Sequence, residues 1–170
     1  WMMRWIGHAA VAVLDGGQAA WPGPLTTDLP VVRPGNFKLG EPLVTQIDAT
    51  GLRGQLGQVR LIDARAPERF RGEVEPLDKQ AGHIPGASNR LFKLNLAADG
   101  RFKSADQLKA EFSALLGASQ PGQVVHACGS GVTACHNLLA MEHAGLAGST
   151  LYPGSWSEWS SDSNRPIATG

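Results

Sequence analysis

Leu108, Phe112, Leu115 and Leu116 fall on one face when residues 104–116 are wound at helical spacing, with Ser104 and Gln107 placed as a capping box at its start. That pattern predicts an amphipathic helix over 104–116. A second helix is predicted over 133–144, ended by Gly145, and a weaker one over 48–56. Residues 156–160 open a last helix. Between these lie short apolar runs with the character of strands: VRLIDA at 59–64, the buried QVVHA at 123–127, and residues 150–152. AGHIPGASN at 81–89 reads as a loop holding a short strand. Short strands alternating with helices imply an α/β domain built on a mainly parallel sheet flanked by helices.

A second pattern spans the chain. Shifting the sequence by 138 places residues 1–21 on 139–159 without a gap, and Met3, Gly7, Gly16 and Trp21 meet Met141, Gly145, Gly154 and Trp159. Both stretches read as a helix end, a glycine break, a short strand (11–14 in the first copy), and a turn into a Trp-bearing helix. Residues 1–21 are therefore expected to be the tail of one domain whose twin follows. The next stretch, 22–43, has linker composition, with Pro22, Pro24, Pro30, Pro34 and Pro42 interleaved with glycines. The second domain is expected over 44–165.

Composition narrows the function classes. Fifteen Lys+Arg balance fifteen Asp+Glu, which removes the electrostatic reason to propose nucleic acid or an anionic membrane surface as partner. Hydrophobic residues make up 42%, enough for a real core in 170 residues. The longest apolar run, residues 9–14, is far short of the ~20 residues of a membrane helix. The two cysteines, Cys128 and Cys135, form neither a disulfide framework nor a zinc pattern. A free thiol points to a reducing compartment, and the chain is expected to be cytoplasmic.

The chemistry concentrates at Cys128. It follows the strand QVVHA directly and precedes Gly129-Ser130-Gly131-Val132-Thr133, which opens a helix. In an open α/β sheet, ligands bind at the carboxyl ends of strands. The glycines let the backbone curl so that N–H groups point inward, and the helix start adds partial positive charge. Such a loop favours a thiolate and cradles an anion.

Four strings now join into one resemblance: DARAPERFRG at 63–72, GHIPGA at 82–87, CGSGVT at 128–133 and YPGSWSEW at 152–159. Residues 44–165 resemble a rhodanese domain, and CGSGVT resembles the active-site loop of the mercaptopyruvate-using branch of that family. Residues 11–21 resemble the end of the preceding domain in the family's tandem enzymes. The resemblance implies a catalytic rhodanese domain over 44–165 and a sulfurtransferase reaction, with no metal or organic cofactor. Cys128 would take the outer sulfur from a small-molecule donor, become a persulfide, and pass the sulfur to a thiol, dithiol or cyanide acceptor. It implies Cys128 and Ser130 as catalytic residues, and Arg69, Gly129, Gly131, Val132 and Thr133 as substrate-binding ones. Asp63 would support the site by holding Arg65 or Arg69. His83 is expected to be a hydrogen-bonding residue of the fold, and Trp156 and Trp159 core and site-wall packing.

The loop also bears on the donor. Thiosulfate is a dianion, and the thiosulfate-using relatives place two cations directly after the cysteine, where this chain has neutral Gly129 and Ser130. A monoanionic 2-oxo acid suits this loop better, with its carboxylate on Arg69 and its leaving group protonated or hydrogen-bonded through Ser130. In the mercaptopyruvate branch that serine belongs to a Cys–Ser–Asp relay whose acid comes from the preceding domain. A second family arginine has no clear counterpart: EVEPLDKQAGH offers only Lys79.

Three rival readings stand against this one. A phosphatase with a cysteine loop needs an arginine six positions after the cysteine, where this chain has Ala134. A cysteine protease needs a histidine base, for which His126, His136 and His143 are the nearest in sequence. A non-enzymatic sulfur-carrier or interaction module is the third.

Overall fold

The computed structural model describes all residues, Trp1–Gly170. Four short strands form one parallel sheet: β1 (Arg60–Asp63), β2 (Ser88–Asn89), β3 (Val124–Ala127) and β4 (Thr150–Leu151), in the order β2-β1-β3-β4. The register sets Ile62 beside His126 and Asp63 beside Ala127, so β1 and β3 end together. A parallel bridge from Gln46 to Leu151 extends the edge beyond β4. Six helices accompany the sheet: α1 (Met2–Trp5), α2 (Ala49–Gly54), α3 (Pro67–Phe70), α4 (Ala105–Leu116), α5 (Val132–His143) and α6 (Ser155–Ser161).

Alternation along the strands builds a core on each face. Leu61, Val125 and Ala127 point to one side, against Leu52 of α2 and Trp156 and Trp159 of α6. Ile62 and Val124 point to the other, against Leu108, Phe112 and Leu116 of α4 and Met141 of α5. Both faces being covered explains why these strands read as continuous apolar runs. The predicted capping box forms: Ser104 Oγ accepts from the Gln107 amide at 3.3 Å, and Gln107 Oε1 accepts from the Ser104 amide at 3.2 Å. The histidine of GHIPGA is a fold residue, with His83 Nδ1 at 2.7 Å from the Phe70 carbonyl and its ring stacked on Phe70.

The first 21 residues depart from expectation in two respects. No strand forms over 11–14, because no neighbouring strand offers that stretch a ladder, and in place of a Trp-bearing helix there is only a 3-10 turn, Gly17–Ala20, that ends before the extended Trp21. Residues 22–42 carry no helix or strand, though their end is tied down. The amides of Gly40 and Leu43 donate to the carbonyls of Ile6 and Arg4, and Arg4 pairs with Glu142 of α5 at 2.6 Å. No helix is long and apolar enough to cross a membrane. The single turn α3, absent from the pattern reading, follows from Pro67 at its first position.

Candidate active site

Parallel pairing brings the carboxyl ends of β1 and β3 side by side, and a cleft of about 590 Å³ opens there. Its lining joins Arg65–Arg69 from the segment after β1 to Cys128, Gly129, Ser130, Val132 and Thr133 after β3. Cys128 is 2% exposed, whereas Ser130 stands exposed on the cleft wall. Gly131 caps α5 with φ 81°, and a Cβ there would lie 2.6 Å from the Pro153 carbonyl oxygen. Only glycine fits that position. It marks the lip of the loop without facing the cleft, unlike its neighbours.

Arg69 comes to the loop from the other side. A Cβ at Gly129 would sit 3.7 Å from Arg69 Nη1, so the guanidinium lies directly over the loop. Two acids hold it: Glu75 at 2.6 Å and Asp78 at 3.5 Å. Arg69 Nε is buried and has no hydrogen-bond partner. Burial pushes the Glu75 carboxyl up, but the bond from Arg69 and the amides of Leu77 and Asp78 outweigh it and leave it below the usual carboxylate range.

Of the two arginines offered to Asp63 by the sequence, the structure selects Arg65. Its Nε and Nη2 donate to the Asp63 carboxylate at 3.0 and 2.7 Å, both partners being buried, and its Nη2 also donates to the Gly82 carbonyl at 2.8 Å. Arg65 in turn lies 4.9 Å over the ring of Trp156, whose Nε1 donates to the Gln80 carbonyl. Trp156 is thus core packing behind Arg65 and does not line the cleft, and Trp159 is buried in the core with its Nε1 on the Pro166 carbonyl.

No histidine lines this cleft. His126 turns under α5, with Nε2 at 3.1 Å from Met141 Sδ, and burial lowers its pKa from 6.5 to about 3. His136 stacks on Phe102 at 4.6 Å. His143 lies beside Phe102 and Leu139 in a separate hollow, so the protease reading loses its base. Lys79 lies outside the cleft, and the lysine that lines it is Lys93.

Pattern reading missed Ser155, Glu75, Asp78 and Lys93. The acids had a visible signal in the EVEPLD stretch after Arg69. Ser155 lies inside the YPGSWSEW string, but a serine after Pro-Gly reads as a turn, and nothing local singles it out. Its hydroxyl accepts from the Cys128 amide at 3.0 Å and donates to the Tyr152 carbonyl at 2.9 Å. The amides of Trp156 and Ser157 donate to the carbonyls of Cys128 and Gly129 at 3.0 and 2.9 Å.

The sequence profile described as "Rhodanese-like domain" matches residues 48–162, the span that contains the whole sheet and this cleft. The chain belongs to the rhodanese family. Among curated rhodanese relatives, a probable 3-mercaptopyruvate sulfurtransferase of Pseudomonas aeruginosa is 51% identical, covering 100% of this chain and 62% of that protein. A putative thiosulfate sulfurtransferase of Mycobacterium tuberculosis is 42% identical, over 100% of this chain and 61% of its own. The chain therefore spans about three fifths of the length of these relatives. Among solved structures, EanB in complex with ergothioneine superposes with a TM-score of 0.86 at 23% identity, covering 99% of this chain and 43% of that one, a likeness of fold.

Proposed function

We propose that this chain carries the sulfur-transfer site of a 3-mercaptopyruvate sulfurtransferase. The observation that carries the reading is Arg69, poised over Gly129 beside Cys128 with a buried, unpartnered Nε and a neutral loop in front of it. A forked, permanent cation suits a carboxylate, and Gly129 and Ser130 add no second charge.

In the proposed reaction the Cys128 thiolate attacks the sulfur of the donor. The carbon–sulfur bond breaks as the sulfur–sulfur bond forms, and the electron pair leaves on the enolate of pyruvate. The enolate takes a proton through the Ser130 hydroxyl, with solvent restoring it, and the product is pyruvate. The Cys128 persulfide then yields its outer sulfur to a thiol, a dithiol or cyanide. Gly131, Val132 and Thr133 shape the loop and the helix start around the developing charge. Asp63 acts on the site through Arg65. The relative from P. aeruginosa bears the same donor in its name. Residues 1–21 are read, on the repeat, as the tail of a first rhodanese-like domain, residues 22–43 as a linker and 44–165 as the catalytic domain, working in the reducing cytoplasm.

Thiosulfate is the second reading. Lys93 lines the cleft and has no acidic partner within 4.0 Å, which favours a doubly charged donor, and the M. tuberculosis relative is named for thiosulfate. Intact mass after separate incubation with each donor decides. A gain of one sulfur with mercaptopyruvate, absent in Cys128→Ser, is the expected result. A gain with thiosulfate alone moves the assignment to the second reading, and no gain with either overturns both.

A further inference from the structure

Every residue with a positive φ in this protein is a glycine except one: Ser155, at φ 51°. Side chains enter that region at a cost of roughly 1–2 kcal/mol, and a residue held there in a folded protein is over-determined by its surroundings. Ser155 is completely buried, so solvent does not explain its conformation.

Its contacts do. Ser155 Oγ accepts the Cys128 amide at 3.0 Å, and the next residue, Trp156, donates its own amide to the Cys128 carbonyl at 3.0 Å. Both backbone polar groups of the cysteine are thereby taken by two consecutive residues. The Oγ proton is spent on the Tyr152 carbonyl, which leaves the oxygen's lone pairs to face Cys128. One register further, the Ser157 amide holds Gly129. Cys128 and Gly129 therefore do not set their own geometry; the turn at 155–157 does. A negative φ at 155 would swing the hydroxyl and the following amide together, away from the two polar groups of the cysteine.

We infer that Ser155 is a positioning residue for the Cys128 thiol, its left-handed backbone retained because it aims the hydroxyl and the Trp156 amide at the two polar groups of the cysteine. This inference deepens the sulfur-transfer reading and rests on it only for its kinetic test. The clamp acts on the reacting sulfur through the backbone, and Ser155 itself touches no substrate.

Two variants separate the hydroxyl from the strain. Ser155→Gly removes the acceptor and relaxes the backbone; Ser155→Ala removes the acceptor and keeps the Cβ. Both are expected to lower kcat ten- to a hundredfold with donor KM within twofold of the parent, since small misplacements of a reacting group have effects of that size. A donor-independent readout accompanies the kinetics: the ratio of Cys128 alkylation rates by iodoacetate and iodoacetamide, resolved from Cys135 by peptide mass. The anionic reagent reports the placement of the sulfur relative to the Arg69 cation on the same cleft, and the ratio is expected to fall at least threefold in both variants. A Ser155→Gly protein that folds and keeps the parental kcat and ratio overturns the inference. So does a fall in kcat that merely follows the folded fraction while the ratio stays put. If the parent takes up no sulfur from either donor yet the ratio falls in the variants, sulfur transfer is refuted and the clamp stands.

Discussion

Arg69 and Glu75 pair at 2.6 Å behind the cleft wall, and the nearly buried Glu75 carboxylate reaches Arg65 at 3.4 Å as well. The cation proposed to take the donor's carboxylate is thus already shared with a protein carboxylate. In the proposed reaction an incoming anion would compete with Glu75 for the fork, so Glu75 is expected to tune donor affinity from outside the reaction.

Glu75→Gln is therefore expected to lower the donor KM by about two- to fivefold with kcat little changed, because the amide keeps an acceptor for Leu77 and Asp78 but no longer neutralises Arg69. Arg69→Ala is expected to do the reverse. Losing a charge-assisted pair of about 1.5–3 kcal/mol raises KM roughly ten- to a hundredfold. Steady-state kinetics on the two variants checks both, and equal KM values in all three proteins remove Arg69 from the site.

Cys128→Ser is expected to abolish sulfur transfer while moving the thermal midpoint by no more than a degree or two. The substitution is nearly isosteric at a residue whose backbone is held by Ser155 and Trp156. Turnover at the parental rate in that variant, measured as pyruvate release, contradicts the nucleophile assignment.

Gly131→Ala tests the loop's shape. The new Cβ meets the Pro153 carbonyl oxygen at 2.6 Å on a backbone at φ 81°, and backbone cannot swing aside as a side chain does. A loss of about 2–4 kcal/mol is expected from strain and clash together, read as a lower urea midpoint at unchanged slope. Gly129→Ala is the control: its Cβ makes only van der Waals contact with Arg69, so its effect falls on donor binding, with stability nearly intact.

Stability is expected to decline as pH falls below 6.5. His126 is neutral in the folded protein down to about 3, because burial opposes its charge, whereas the unfolded chain protonates it near 6.5. Between those values the unfolded state binds the extra proton, so the contribution is complete above 6.5 and is lost on acidification, by up to about 1.4 kcal/mol per pH unit. His136, lowered by burial as well, adds to the slope in the same direction. Glu75 adds to it only in the carboxylate range, where protonation weakens its bond to Arg69. Denaturation series between pH 5 and 7 isolate the histidines, and His126→Leu is expected to flatten the curve there.

Local signals carried much of this molecule. The helical face of Leu108, Phe112 and Leu116, the Ser104 cap, the apolar runs of β1 and β3, and the Cys-Gly-Ser-Gly turn into α5 all follow from residues close in sequence, whose spacing and backbone preferences act over a few positions. With them came the parallel sheet and the place of Cys128 at its carboxyl edge. The unpaired 11–14 stretch shows the limit: strand character is local, but a strand exists only where a neighbour offers its hydrogen bonds. Tertiary structure alone chose Arg65 over Arg69 as the partner of Asp63, set Glu75 against Arg69, replaced Lys79 by Lys93 in the cleft, and bent Ser155 into the left-handed region to hold Cys128. Each of those outcomes depends on the distance between side chains brought together by separate elements, and on a backbone angle imposed by contacts 27 residues apart. Sequence spacing encodes neither.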